Sequence, residues 1–285
     1  MPAFRRALRR AAAATLAALT LWAAAPPPAA AFQFSVSPPR VYIDYGAGRG
    51  QGRIEIANRS AAPLRLSVSL TDFRLDADNR VEAVAPTADS FSNAVVVNPV
   101  ELEVPARGSR TIRFAVRPLA PPEPGERKAM IWLTRAAVPT GEGIPINVAY
   151  GVPLYATYGE VRREGELHGV DWRDGALVYD VSSGGDGHVR LQARYAAFPA
   201  GAYPGDAAAA EAIAAPDWRE ALRALGARDA DLAPTTAVFP GERRRLRRAA
   251  PAAGPSGVIY LRGRLGDAPL AGSWRYRSEE RRVGK

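Results

Sequence analysis

The chain contains no cysteine, which excludes disulfides, thiol nucleophiles and cysteine-ligated metals. That absence does not identify the compartment, because exported proteins need disulfides chiefly when their cores are small. Only two histidines occur, His168 and His188; each lies beside turn residues, and neither has the spacing of a metal site. The sequence also lacks a Gly-x-Ser-x-Gly elbow and a phosphate-binding loop. Asp72, Asp76 and Asp78 cluster near a turn but lack the downstream glutamate of a calcium loop. With no chemistry-bearing constellation, the chain reads as a non-enzyme with no cofactor and no metal. After the first residues no stretch reaches the roughly 20 apolar residues of a membrane-spanning helix, so no membrane span is expected.

The N-terminus carries a different signal. Arg5, Arg6, Arg9 and Arg10 precede an apolar run over residues 11–25, then prolines, then Ala29-Ala30-Ala31. This is the basic region, short apolar region and small-residue cleavage site of a secretory leader, so residues 1–31 are read as a signal peptide cut near Ala31. The arginine pair fits the twin-arginine route only loosely, which leaves the export route open. Loss of these four arginines lowers the formal charge of +9 by four, and a modest remaining charge gives no reason to expect nucleic acid as a partner. The rest of the chain is long enough for two ordinary domains.

Short strand-like runs fill the first half: residues 34–44, 52–58, 64–73, 95–97, 101–104, 109–116, 129–135 and 144–158. The segments Asn58-Arg-Ser-Ala-Ala-Pro63 and Pro105-Ala-Arg-Gly108 supply turns. No helix-period segment interrupts them, which predicts an antiparallel sandwich of immunoglobulin type over residues 32–158. The pattern breaks near Tyr158-Gly159. Strands resume at 167–172, 176–182, 189–198, 237–239, 243–249, 257–265 and 272–277, around an alanine-rich stretch in which Pro216-Asp217-Trp218-Arg219-Glu220 resembles a helix start. Residues 159–277 are therefore expected to form a second β-sandwich with a helical insertion near 206–225. The fold class is all-β, with two immunoglobulin-like sandwiches at an angle. Residues 278–285 resemble the translation of a common sequencing adapter and are read as a non-native tail. Trp132, between Ile131 and Leu133, is expected to pack in the core. The run Arg243-Arg-Arg-Leu-Arg-Arg248 is expected on a solvated edge strand.

The most informative segment is Ile144-Pro-Ile-Asn-Val-Ala-Tyr-Gly-Val-Pro-Leu-Tyr155. Alternate side chains on a strand face opposite sides, so Ile146, Val148, Tyr150, Val152 and Leu154 form one apolar ridge. Gly151 and Pro153 suit an edge better than a central strand. An apolar edge invites a partner strand; pattern alone leaves equally open that the ridge packs on the domain's own core.

Taken together, the chain resembles the PapD-like periplasmic chaperones of fimbrial assembly. The matching segments are Ser37-Pro-Pro-Arg-Val-Tyr-Ile43, Arg53-Ile-Glu-Ile-Ala-Asn-Arg-Ser60, Asn98-Pro-Val-Glu-Leu-Glu-Val104 with Arg110-Thr-Ile-Arg-Phe114, residues 126–139, and Val238-Phe-Pro-Gly-Glu-Arg243. The resemblance implies a periplasmic protein that holds pilus or fimbrial subunits by donor-strand complementation and delivers them to an outer-membrane usher. It implies that Ile146, Val148, Tyr150, Val152 and Leu154 fill a subunit's groove and that Arg40 binds the subunit's terminal carboxylate, for which a guanidinium fork is suited. Where the resemblance would place a lysine stands Gly151, and where it would place an acid stands Lys128. A second reading, an exported immunoglobulin-like binding or adhesion module of the cell envelope, stays open on sequence alone, because this fold hosts many roles.

Overall fold

In a computed structural model, residues 34–46, 50–118, 123–135, 148–250, 254 and 256–277 are described. The segment read as a signal peptide (residues 1–31), Ile146 and residues 278–285 lie outside the described residues. The described residues of the first half include the strands β1 Phe34–Ser37, β2 Val41–Asp44, β3 Gln51–Asn58, β4 Leu64–Leu75, β5 Val81–Val84, β6 Val95–Asn98, β7 Glu101–Val104, β8 Ser109–Val116, β9 Gly125–Arg135 and β10 Ala149–Tyr158. They form two sheets, ordered β1-β3-β8-β6 and β2-β10-β9-β4-β5, with β7 also on β4.

Alternation places each strand. On β4, Leu64, Leu66 and Val68 are buried while Arg65, Ser67 and Ser69 point out. On β3 and β8, Ile54, Ile56, Ile112 and Phe114 meet them from the other sheet. The sequence run 34–44 is not one strand. Pro38 and Pro39, which cannot sustain a ladder, break it, so that β1 pairs antiparallel with β3 in one sheet and β2 pairs parallel with β10 in the other.

The second half adds β11 Gly165–Arg173, β12 Ala176–Ser183, β13 Val189–Pro199, β14 Asp229–Leu232, β15 Ala237–Val238, β16 Arg243–Ala249, β17 Ser256–Leu265 and β18 Ala268–Arg277. One sheet runs β11-β12-β16; the other runs β14-β13-β17-β18, with β15 on β13. Their shared core is built on Tyr179, Leu191, Tyr195 and Leu261. Between β13 and β14 lie helices α1 Asp206–Ala214 and α2 Trp218–Ala224. Their Ile213, Trp218 and Leu222 cover the outer face of that sheet at Phe198 and Tyr260, and Arg194 ties α1 down by donating to the Ile213 carbonyl at 2.7 Å. The architecture is all-β with two sandwiches and a helical insertion in the second.

Part of the outer face of the β2-β10-β9-β4 sheet is covered. Phe73, Met130 and Tyr155 pack there against Ala237 and Phe239 of the second sandwich. Phe73, Met130 and Phe239 are nearly fully buried, each contributing about 1.5–3 kcal/mol of apolar burial. Trp132 lies on this face and not in the sandwich core, with its indole N–H donating to Thr71 Oγ1 at 2.8 Å. An indole needs a partner for its N–H, and a neighbouring threonine supplies it here. The arginine run also departs from expectation. β16 is an edge strand, but Arg244 is largely buried and reaches across to the first sandwich, donating to the carbonyls of Leu75 at 3.1 Å and Asp76 at 2.8 Å.

Candidate functional site

The apolar ridge on β10 faces inward where it is best ordered by neighbours. Val152 and Leu154 are fully buried in the core of the first sandwich, together with Ala156 and Tyr158. This corrects the expectation that they project toward a client: a strand flanked on both sides, by β9 and by β2 from Leu154 onward, has its apolar face claimed by the facing sheet. Val148 and Tyr150 are only partly buried, and Tyr150 packs edge-on to Phe34 at 6.1 Å. Ile146 lies outside the described residues.

Among the described residues, the first half of β10 has a partner on one side only. Residues 149–153 pair with β9, whereas β2 joins the other edge only at Leu154. The Arg135 amide donates to the Val148 carbonyl at 3.0 Å, and the Tyr45 amide donates to the Thr157 carbonyl at 3.0 Å. Even-numbered residues of β10 therefore turn their backbone groups to β9, and odd-numbered ones turn theirs to the opposite edge. Among the described residues, Ala149 and Gly151 thus present unpaired backbone groups at an open edge. Pro153 stands on that same side, where its missing N–H costs no ladder bond.

Arg40 immediately precedes β2 and so sits where the open edge ends. It is partly exposed and, among the described residues, has no hydrogen bond or ion pair. Gly151 is not a gap into which a lysine would fit. A Cβ there would meet Met130 Sδ at 2.8 Å, closer than real Cβ contacts run, and Trp132 Cζ3 at a tight 3.0 Å.

Beside Arg40 lies a buried polar joint between the sandwiches. Glu126 Oε1 accepts from His188 Nδ1 at 2.5 Å, and Glu126 Oε2 accepts from Arg163 at 3.1 Å. His188 Nε2 accepts from Arg190 Nε at 3.1 Å. Since Arg190 can only donate, the imidazole is neutral with its proton on Nδ1. Burial pushes His188 below its ordinary range, and this outweighs the Glu126 carboxylate that would raise it. Burial works against the charge of Glu126, but the His188 hydrogen bond and the Arg163 guanidinium outweigh it and leave the carboxyl below its usual range.

The Tyr155 ring lies 4.2 Å from His188, tilted by 30°, and its hydroxyl accepts from Arg190 at 2.8 Å. Burial raises its phenol to about 12, against the charges of Arg190 and Arg40. Tyr42 stacks on Tyr155 at 5.4 Å. Lys128 lies 4.3 Å over the Phe239 ring, and burial lowers its pKa despite the nearby carboxylates of Glu242, Glu126 and Asp72. The acid at this joint is thus Glu126, two positions before Lys128 on the same face of β9.

No protein-family model matches the chain, and no curated protein matches it. Solved structures of chaperones do resemble it. The YadV chaperone is 10% identical, with 86% of this chain and 100% of that one covered and a TM-score of 0.45. A chain of the CsuC–CsuE chaperone–tip adhesion subunit complex from archaic chaperone-usher pili of Acinetobacter baumannii is 10% identical, covering 87% and 99%, at 0.44. A chain of the Salmonella enterica SafA pilin–SafB chaperone complex is 12% identical, covering 87% and 98%, at 0.43. Likenesses this distant carry no weight for function, which has to rest on the chain's own residues.

Of the residues expected to bind a partner, Arg40 and Tyr150 lie beside the open edge with Val148, while Val152 and Leu154 belong to the core. Glu126, His188, Arg190 and Tyr155 were not legible as a group, because they meet only through the packing of one sandwich on the other. Among the described residues no cluster of His, Asp and Glu could hold a metal, and no helix is long and apolar enough to cross a membrane.

Proposed function

We propose that the chain is an exported, periplasmic chaperone of the PapD-like kind, which holds a pilus or fimbrial subunit and passes it to an outer-membrane usher. The observation that carries this is the edge of β10 at residues 149–153, which among the described residues has no second partner strand and ends at Arg40, itself without a partner there. An extended segment of a client could add a strand there through the free backbone groups of Ala149 and Gly151. Its side of the exchange would come from the start of the strand, with Val148 and Tyr150, preceded in sequence by Ile146, entering the client's groove. Val152 and Leu154 are spent on the chain's own core and have no part in it.

Such an edge is an aggregation hazard unless it is occupied, which favours a strand-capturing protein over a generic envelope module. The test is co-expression with a secreted subunit encoded beside an usher. The subunit is expected to accumulate in soluble, co-purifying form only when this chain is present, and less so with Arg40→Ala at unchanged folding. Equal recovery of the subunit without the chain would overturn the reading.

A further inference from the structure

We infer that a groove beside the helical insertion of the second sandwich binds a small organic carboxylate with a short apolar body. The site is remote from the edge of β10 and independent of strand capture. The groove has a volume of about 470 Å³, within the range of small-molecule sites. It lies between the end of α1 and β14, on the outer face of the β14-β13-β17-β18 sheet.

The ladder sets Leu232, Arg194 and Arg262 in one row across β14, β13 and β17. Residues directly opposite on antiparallel strands share a face, and like charges placed so repel. The last turn of α1 offsets part of that repulsion. Arg194 donates to the Ile213 carbonyl at 2.7 Å, and Arg262 donates to the Ala210 carbonyl at 2.6 Å. The C-terminal end of a helix carries only about half a negative charge, so most of the positive charge of the two arginines is left over. Among the described residues neither guanidinium has a carboxylate partner. The next pair along the same two strands is Gln192 and Arg264, which adds a third cation to this face. The Arg194 guanidinium is also held 5.0 Å over the Trp218 ring, which fixes its direction. A guanidinium has five N–H donors, so each arginine keeps donors for a ligand after its bond to the helix.

The groove also has an apolar wall. Leu232, beside Arg194, is 51% exposed and belongs to neither core cluster of the second sandwich. Ile213 and Ala214 line the helix side, and Ala233 and Gly263 are small residues that leave the space open. A bare inorganic anion would leave Leu232 wet, and a neutral apolar molecule would leave the arginines without a counter-charge. A carboxylate on a short alkyl or aryl body answers both, its oxygens taken by the arginine forks and its carbons laid on Leu232.

The experiment is calorimetric titration of the full chain with octanoate, octanol and acetate, repeated on Arg262→Gln and Leu232→Asp. Both replaced side chains are exposed, and a thermal melt verifies each fold. The wild type is expected to bind octanoate saturably and roughly tenfold more tightly than octanol or acetate. Arg262→Gln is expected to lose roughly tenfold for octanoate with octanol unchanged. Leu232→Asp, which sets a carboxylate beside Arg194, is expected to abolish octanoate binding. Equal affinity of the wild type for octanoate and for either octanol or acetate would overturn the inference, because one half of the site would then do nothing. Wild-type affinity in both variants would place the ligand elsewhere and overturn it as well, and so would the absence of octanoate binding to the wild type at millimolar concentration.

Discussion

Glu126 of the first sandwich accepts a hydrogen bond from His188 of the second at 2.5 Å, and both side chains are only 3% exposed. This bond ties the outer face of β9 to the start of β13 and stands between the two groups that complete it, Arg163 on Glu126 and Arg190 on His188. The same Arg190 reaches Tyr155, on which Tyr42 stacks. The joint that sets one sandwich against the other is thereby continuous with the surface on which Arg40 sits.

Glu126→Gln removes the charge while nearly conserving shape. Arg163 loses its carboxylate partner, and a neutral amide oxygen has to accept the His188 N–H. Breaking a buried pair in this way costs about 3 kcal/mol. A denaturant titration should show a loss of that order, with a larger loss for Glu126→Ala, which leaves both donors without an acceptor.

Stability should fall in mild acid. His188 has a folded pKa below its ordinary 6.5, so below that value the unfolded chain takes up a proton that the folded chain refuses. The stabilisation is fully present above about pH 6.5 and is lost as pH falls through the lower folded value. Glu126 acts in the same direction, with stability present above 4.5 and lost below it. The melting temperature of the wild type should therefore drop between pH 7 and 5, and His188→Gln, which cannot charge, should flatten that part of the profile. A wild-type profile flat over this interval would remove His188 from the joint's energetics.

The sequence shows period-two strands clearly where one face is apolar and the other polar, as on β4 and β8. On β10 the alternation identifies which residues share a face but not which face is the core, because Val152 and Leu154 on one side and Tyr155 on the other are all apolar and all buried. Residues 34–44 read as one strand-like run in the sequence; Pro38 and Pro39 break it, and the switch of sheets that follows depends on pairing with distant strands. His188 shows no local signal of its role. Its partner lies 62 residues away in another sandwich, and only the packing of Phe73, Met130 and Phe239 brings them together. Arg244 was hidden inside a run of arginines whose neighbours Arg243 and Arg245 are exposed.

Leu154→Ala and Val148→Ala should separate core from edge. Leu154 is fully buried in the first sandwich, and its truncation should cost about 2–5 kcal/mol through lost burial and a cavity. Val148 is partly exposed, so its truncation should cost under about 1 kcal/mol. Equal losses would mean that the ridge is uniformly core.

Gly151→Lys tests whether this chain could carry the lysine that its family resemblance suggests. The new Cβ would lie 2.8 Å from Met130 Sδ and 3.0 Å from Trp132 Cζ3. The methionine can swing away, but the indole is held by its bond to Thr71 Oγ1 and by the facing sandwich. Overpacking of this kind costs about 1–3 kcal/mol, and the ammonium would emerge beside Arg40, adding like-charge repulsion. The variant should therefore melt lower than the wild type and should recover stability when Trp132 is shortened to leucine in the same chain. Full stability of Gly151→Lys alone would show that the face beside Arg40 has room for a second cation.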